Sequence, residues 1–173
     1  MGKSVFFGLL ILLVLAGGIF SLYKIKEIDE LKKTHKNLPS IQIPQINGKL
    51  IDLPNSINNN ATIFVYFNTT CHLCQSEAQL LVVNFQDRED VNFIFIASQD
   101  VITIKAFKEE YGLDKLENAV FLSDTLFRFA NEFNLRGTPY TFVYNSQGQL
   151  IEEFSGSFKM QELKDAIIRA NGS

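Results

Sequence analysis

Two cysteines in a C-x-x-C pattern, Cys71 and Cys74, are the only cysteines in this 173-residue chain. The run before them, residues 61–67, consists of β-branched, aromatic and small residues, which is typical of a strand buried on both faces. After them, apolar residues recur at spacings that place them on one helix face, namely Cys74, Ala78, Leu81 and Phe85. The pair is therefore predicted where a buried strand ends and a helix begins.

This predicted position favours redox chemistry at the cysteine pair. Unpaired backbone N–H groups and the positive end of the helix dipole stabilise an anion at a helix N-terminus, which lowers the pKa of a thiol placed there. Cys71 is therefore the predicted nucleophile. Cys74 lies one turn further into the helix, so it is the predicted thiol that attacks a mixed disulfide on Cys71 and releases the substrate.

Two other uses of the cysteine pair are less favoured. A structural disulfide would close a loop of only two residues, and the entropy that a cross-link removes grows with loop length. A closed zinc site needs four ligands, and beyond Cys71 and Cys74 the chain offers only His35 and His72. We therefore predict a redox dithiol that needs no metal and no cofactor.

The first 23 residues are predicted to form a transmembrane anchor. Residues 4–23 carry no charge, and about 20 apolar residues are needed to cross the hydrocarbon core. A cleaved signal peptide is the alternative, because Lys3 gives a basic start and 14–16 resembles a cleavage site, although the apolar run continues to Leu22. The charge-rich residues 24–37 are interpreted as a linker.

From residue 38 to 173 the pattern predicts one α/β domain. An Asn47-Gly48 pair between alternating stretches indicates a β-hairpin at a sheet edge, because Pro44 cannot serve a central strand. Further strands are expected at 61–67, 91–97, 119–122, up to Tyr144 and at 149–155, with helices after Cys71, at 101–111 and at 159–170. Another helix, capped by Ser123 or Asp124, is expected to contain Leu126, Phe127, Phe129, Ala130 and Phe133. This order predicts a mixed sheet with helices on both faces.

The order of these elements around Cys71–Cys74 and Gly137-Thr138-Pro139 resembles that of thioredoxin-fold proteins, and most of all the membrane-anchored thiol-disulfide oxidoreductases of the TlpA and ResA type. The resemblance covers about residues 38–171. It implies that Pro139 forms a cis peptide bond and faces the dithiol, and that Thr138 offers backbone groups to an extended substrate segment. An ordinary proline at the start of a strand is the alternative for Pro139.

The resemblance also draws attention to Glu77 and His72. The resembling oxidoreductases carry a glutamate close to the dithiol where Glu77 stands, whereas the buried aspartate of thioredoxins is replaced here by Val65. If partly buried, Glu77 would have a raised pKa and could take a proton from Cys74; the alternative is a solvated helix glutamate. A protonated His72 would stabilise the Cys71 thiolate, whereas a solvent-facing His72 would have no such effect.

The expected activity is reduction or exchange of disulfides in exported proteins. The resemblance implies partners such as apocytochromes c and a membrane electron donor, with the catalytic domain on the extracytoplasmic side of a bacterial cell membrane. Five lysines follow the apolar segment and one precedes it, which by the positive-inside rule would instead favour the cytoplasm. The 16 basic and 19 acidic residues are mixed along the chain, so no nucleic-acid partner is expected.

Two other functions could use the same residues. A peroxiredoxin-like peroxidase shares the fold, but its usual pattern has threonine three residues before the reactive cysteine, and this chain has Asn68 there. A copper-binding assembly module could use Cys71, Cys74 and His72, because Cu(I) accepts few soft ligands. Peroxide consumption would support the first alternative, and stoichiometric copper binding without disulfide reduction would support the second.

Overall fold

The structure, a computed structural model, describes residues 16–20 and 35–173. Residues 16–20 are helical, and the remainder of the predicted anchor and most of the predicted linker lie outside the described residues. Within the described part of the chain, no helix is both long and apolar enough to cross a membrane. Residues Asn37–Ser173 form a compact unit, which contains every element named below.

Seven strands and four α-helices make up this unit. The strands are β1 (Gln42–Pro44), β2 (Leu50–Asp52), β3 (Ala61–Phe67), β4 (Val91–Ala97), β5 (Ala119–Ser123), β6 (Tyr140–Tyr144) and β7 (Leu150–Ser155). The helices are α1 (His72–Phe85), α2 (Val101–Glu110), α3 (Arg128–Glu132) and α4 (Met160–Asn171). The predicted α/β alternation is confirmed, with most boundaries within one or two residues.

The central sheet is mixed and has five strands, in the order β5-β4-β3-β6-β7. Strand β3 lies in the middle, parallel to β4 and antiparallel to β6, and all seven of its residues are buried. The predicted hairpin forms a separate two-stranded sheet, β1–β2, which reaches the edge strand β5 through a bridge between Gln45 and Leu122. The strand that leads to the dithiol is therefore the central strand of the sheet and, like β4, is buried along its whole length.

The hydrophobic core has two parts, one on each face of the sheet, because successive side chains of a strand point to opposite faces. Alternate residues of β3 and β4 pack with α1, α2 and α4 on one face. The others pack with the β1–β2 hairpin and α3 on the second face, where Phe64, Phe129 and Phe142 are fully buried. The faces are thus covered unequally, and α1 with its cysteines lies on the face that carries three helices.

The helix after β5 begins later in the chain than the sequence predicts. The chain turns at residues 124–127, Phe127 has a left-handed backbone (φ 54°), and α3 begins only at Arg128. Leu126 and Phe127, which were expected inside the helix, are 67% and 51% exposed. The carboxylate of Asp124 stabilises the turn before the helix, because it accepts hydrogen bonds from the backbone N–H groups of Arg128, Phe129 and Ala130 at the start of α3.

Replacing Asp124 by alanine is expected to lower the free energy of unfolding by about 2 kcal/mol, because three backbone donors, one buried and two partly buried, lose a charged acceptor. Urea unfolding followed by circular dichroism measures this change. The Asp124→Asn variant keeps one oxygen acceptor, so it should lose less. A change below about 0.5 kcal/mol in the alanine variant, the range usual for surface substitutions, would contradict this account of the turn.

Candidate active site

Cys71 lies where the central strand ends and α1 begins. After Phe67 the chain turns through Asn68, whose side chain accepts the backbone N–H of Thr70 at 2.9 Å and whose carbonyl accepts the N–H of Cys71 at 3.1 Å. Cys71 is the N-cap of α1, and its Sγ accepts the backbone N–H of Cys74 at 3.4 Å. The predicted position of the first thiol at a helix N-terminus is therefore confirmed.

The two thiols, both free in this structure, lie in different surroundings. Burial acts to raise the pKa of the partly exposed Cys71, but hydrogen bonds from the side chain and the backbone N–H of Cys74 outweigh it and hold this pKa below its usual value. Cys74 is 3% exposed, and burial together with the Cys71 contact raises its pKa to about 12. At neutral pH Cys71 is thus the more acidic and more accessible thiol, as the sequence predicts.

The loop before β6 faces the dithiol. The peptide bond between Thr138 and Pro139 is cis, as the resemblance implies. The Cys71 thiol is 3.7 Å from the backbone oxygen of Thr138, to which it donates. Pro139 lines the same small cavity as Cys74, and its carbonyl accepts the backbone N–H of Gly156 at 2.9 Å. The structure therefore brings together the two segments that the resemblance pairs, although they are 67 residues apart in the chain.

Glu77 is buried on α1, one helical turn after Cys74. Its side chain is 6% exposed, and the hydroxyl of Thr141 on β6 donates to its Oε1 at 3.0 Å. Its Oε2 is buried and has no hydrogen-bond partner among the described residues. Burial raises the pKa of Glu77 to about 7, while the Thr141 hydrogen bond acts to lower it. The solvated alternative is excluded, and a titratable carboxyl lies beside the buried thiol.

A small cavity joins Cys74 to Glu77. Its volume is about 10 Å³, which is close to the least space that holds one water molecule. Apart from Cys74 and Glu77, the lining consists of apolar residues from β3, β4, α1, α2 and the proline loop, namely Val65, Phe67, Ala78, Leu81, Phe95, Phe107 and Pro139. The thiol and the carboxyl therefore share a small cavity of low dielectric constant, and the other described residues that line it are apolar.

His72 lies on the exposed side of the dithiol. Its Nδ1 is 3.2 Å from Oε1 of Gln75, and the Nε2 of Gln75 donates to the backbone oxygen of Thr69 at 2.9 Å. A carbonyl oxygen can only accept, so the amide nitrogen of Gln75 belongs at Thr69 and its oxygen at His72. His72 therefore donates from Nδ1, whether its ring is neutral or protonated.

The sequence pattern missed Thr141, Gln75 and Thr69. For Thr141 one signal was available, because it follows Pro139 by two residues, and residues two apart in an extended chain point to the same side. As for the copper hypothesis, the residues that the structure describes contain no group of three or more His, Cys, Asp or Glu side chains placed to hold a metal.

A dithiol at a strand-to-helix junction, facing a cis-proline on a mixed five-stranded sheet, defines a thioredoxin-like oxidoreductase. A comparison with protein families narrows this class. The model of the AhpC/TSA family matches residues 34–153, more than half of the chain, so the chain belongs to the AhpC/TSA family. No curated protein matches the sequence.

Several solved structures are similar, among them three from Mycobacterium tuberculosis. A secreted disulfide oxidoreductase homologous to E. coli DsbE is 19% identical, with a TM-score of 0.64 over 75% of this chain and 96% of that one. DsbF is 16% identical, with a TM-score of 0.63 over 76% of this chain and 95% of that one. The peroxidoxin BcpB is 17% identical, with a TM-score of 0.63 over 79% of this chain and 94% of that one. At such identities the likeness establishes the fold alone.

Proposed function

We propose that this protein reduces or exchanges disulfides in partner proteins by cycling Cys71 and Cys74 between dithiol and disulfide. The observation that carries the proposal is the contrast between the two thiols. Cys71 is accessible and acidic at the helix N-terminus, whereas Cys74 is buried with a pKa of about 12. Such an asymmetric pair suits a nucleophile and a resolving thiol, which a structural bridge would not require.

In the first step, the Cys71 thiolate attacks one sulfur of a partner disulfide. A bond forms between Cys71 and that sulfur, the partner's disulfide breaks, and the second partner sulfur leaves as a thiolate that takes a proton from solvent. The backbone at Thr138, next to the cis-proline and 3.7 Å from the Cys71 sulfur, is suited to hold the partner segment in an extended conformation.

In the second step, Cys74 attacks Cys71 and releases the partner as its second thiolate. Cys74 must first lose its proton, and Glu77 is the group in the shared cavity that can accept it. A carboxyl whose pKa is about 7 exists partly as carboxylate at neutral pH, so it can serve as base. The net result is one disulfide in the protein and two thiols in the partner; the proton on Glu77 returns to solvent or to the departing thiolate.

His72 is proposed to tune this couple. In the protonated state its imidazolium would stabilise the Cys71 thiolate and favour the reduced dithiol, and the hydrogen bond to Gln75 holds its ring at the first turn of α1. A His72→Ala variant is therefore expected to have a more negative reduction potential. An unchanged potential would assign His72 to the solvent-facing alternative.

We also propose that the domain is membrane-anchored on the extracytoplasmic side and acts on exported proteins, including apocytochromes c. The uncharged residues 4–23 support the anchor, and one structural neighbour is itself a secreted protein. A membrane-impermeant maleimide should then label Cys71 in spheroplasts. If Cys71 is labelled only after lysis, the domain lies in the cytoplasm, and exported proteins are excluded as its partners.

The first experiment traps the mixed disulfide. Reduced wild-type protein, Cys74→Ser and Cys71→Ser are each mixed with an oxidised C-x-x-C-H peptide, as found at haem attachment sites, and followed by mass spectrometry. Wild type should become oxidised without a lasting adduct, Cys74→Ser should accumulate the adduct on Cys71, and Cys71→Ser should do neither. An adduct on Cys74 in the Cys71→Ser protein would reverse the assigned roles. An unrelated oxidised peptide that reacts equally fast would argue against apocytochromes as preferred partners.

The reduction potential decides the direction of electron flow. A value near or below about −250 mV would indicate a reductant that depends on a membrane electron donor. A value near about −120 mV, typical of strong periplasmic oxidants, would indicate a disulfide donor and would exclude the proposed role in cytochrome maturation.

Peroxide reduction is the second candidate, because the family model and one structural neighbour, a peroxidoxin, point to it. Asn68 stands at the position of the usual threonine, and its side chain is engaged with the N–H and O–H of Thr70 rather than with Cys71. Reduced protein that consumes hydrogen peroxide faster than it consumes the peptide disulfide would favour this candidate.

A further inference from the structure

We infer that Thr141 is a positioning residue for proton transfer from Cys74: its hydroxyl holds one oxygen of Glu77 and leaves the other available to the cavity shared with the thiol. The inference rests on the proposed function, since it presumes that Cys74 resolves a mixed disulfide and passes its proton to Glu77. It adds a residue of β6, outside the dithiol helix, to the group that controls the second step.

The location of Thr141 supports this role. It is fully buried on β6, two residues after Pro139, and it pairs with Val65 of β3 in the antiparallel register. Val65 lines the cavity and occupies the position where thioredoxins carry a buried aspartate. The central strand therefore supplies no carboxylate, and α1 supplies Glu77, which Thr141 contacts from the strand next to Val65.

The chemistry of the hydrogen bond determines what Thr141 does. An ionised carboxylate has no proton to donate, so at 3.0 Å the hydroxyl of Thr141 must donate to Oε1 of Glu77. Oε1 is thereby engaged, and Oε2, buried and without a partner among the described residues, is the oxygen left to accept a proton. Thr141 thus selects which oxygen is basic and favours the charged form of the carboxyl.

The surroundings of Glu77 make this single donor influential. Side chains from β3, β4, α2 and the proline loop that line the cavity are apolar, and Cys74 is the other titratable group in the lining. Burial raises the pKa of Glu77, and the Thr141 hydroxyl is the group that acts against it. Removal of that hydroxyl is therefore expected to leave more of Glu77 protonated at neutral pH, where it cannot serve as base.

The alternative is that Thr141 only ties β6 to α1, and two substitutions separate the roles. Thr141→Val keeps the shape of the side chain and removes the donor, whereas Thr141→Ser keeps the donor and removes a methyl group. A structural tie depends on packing as well as on the hydrogen bond, so serine would disturb it too. A positioning role depends on the hydroxyl, so serine should restore it.

The experiment measures the second step as a function of pH in the full-length protein. Reduced protein is mixed with an oxidised C-x-x-C-H peptide, quenched with acid at intervals and resolved by mass spectrometry into mixed disulfide and oxidised protein. We expect Thr141→Val to shift the pH profile of the second step upward by about one unit, the size of one lost hydrogen bond, and to slow this step about fivefold at pH 7. Thr141→Ser should stay close to wild type.

Carbon-13 NMR of the Glu77 carboxyl gives a readout that a merely structural role would not move, namely its titration midpoint. The midpoint should rise in Thr141→Val and stay near the wild-type value in Thr141→Ser. Thr141→Ala is a second variant without a donor, should the valine protein fail to fold. In a Glu77→Gln background, Thr141→Val should cause no further slowing.

The outcomes distinguish a failure of this inference from a failure of the proposed function on which it rests. If Glu77→Gln slows the second step but Thr141→Val leaves the pH profile and the midpoint unchanged, the inference is overturned and the role of Glu77 stands. Equal slowing by valine and serine would also overturn it, in favour of a structural tie. If Glu77→Gln itself has no effect, Glu77 is not the proton acceptor, and both the second step as proposed and this inference fail.

Discussion

Iodoacetamide is expected to alkylate Cys71 at least about 10³-fold faster than Cys74 in the reduced protein at pH 7, because only thiolates react. The pKa of Cys74 is about 12, which leaves roughly one molecule in 10⁵ as thiolate at this pH. Cys71 has a pKa below its usual value and is partly exposed, so a far larger fraction is both ionised and accessible. Peptide mapping after timed quenching gives the two rates separately.

Two controls accompany the alkylation experiment. In urea both cysteines should react at similar rates, because the contrast depends on the fold. In a Cys71→Ala variant Cys74 should remain slow, because burial is the main cause of its raised pKa and persists without the neighbouring thiol. Comparable rates for Cys71 and Cys74 in the folded wild type would remove the basis for assigning one as nucleophile and the other as resolving thiol.

Replacing Glu77 by glutamine is expected to stabilise the protein by about 3 kcal/mol at pH 8 and to change little at pH 4. The pKa of Glu77 is about 7 in the folded protein, and an unfolded glutamate has a pKa of about 4.3. Between these values the folded chain binds more protons than the unfolded one, so stability falls as pH rises through this window. Glutamine cannot ionise, and its oxygen can still accept the Thr141 hydroxyl.

Urea unfolding at a series of pH values measures this effect. The matched control is Glu109→Gln on α2, which makes the same substitution at an exposed side chain. If the stability difference between Glu77→Gln and wild type does not grow from pH 4 to pH 8, Glu77 is not held in a buried, ionisable state. Confirmation would mean that the wild type gives up stability to keep a base beside Cys74.

The centre of the fold could be predicted from local pattern. Strand β3 and helix α1 were predicted correctly from the sequence. A strand that is fully buried is apolar along its length, and a helix that is buried on one side has apolar residues at helical spacing. The N-terminal position of Cys71 on α1 followed from the same two patterns. The start of the helix after β5 was predicted wrongly for a specific reason: the apolar residues between Leu126 and Phe133 have helical spacing, but the Asp124 carboxylate stabilises a turn at the start of this segment.

The contacts of Glu77 could not be predicted in the same way. Its hydrogen bond to Thr141 joins residues 64 positions apart and depends on how β6 pairs with β3. That pairing is set by the whole sheet, and a shift of one residue would turn Thr141 to the opposite face. The resemblance to known oxidoreductases pointed to Glu77 itself, but the residue that holds it became visible only with the register in place.

In the proposed mechanism, the position of Cys74 inside the helix, one turn from Cys71, also determines how long a partner stays attached to Cys71. Attack on a mixed disulfide by a thiol held in the same chain is intramolecular, and well-oriented groups of this kind can act at effective concentrations far above any attainable in solution. The lifetime of the covalent complex is then set within the protein, by the departure of one proton from Cys74. On this mechanism, the surrounding pool of small thiols has little influence on that lifetime.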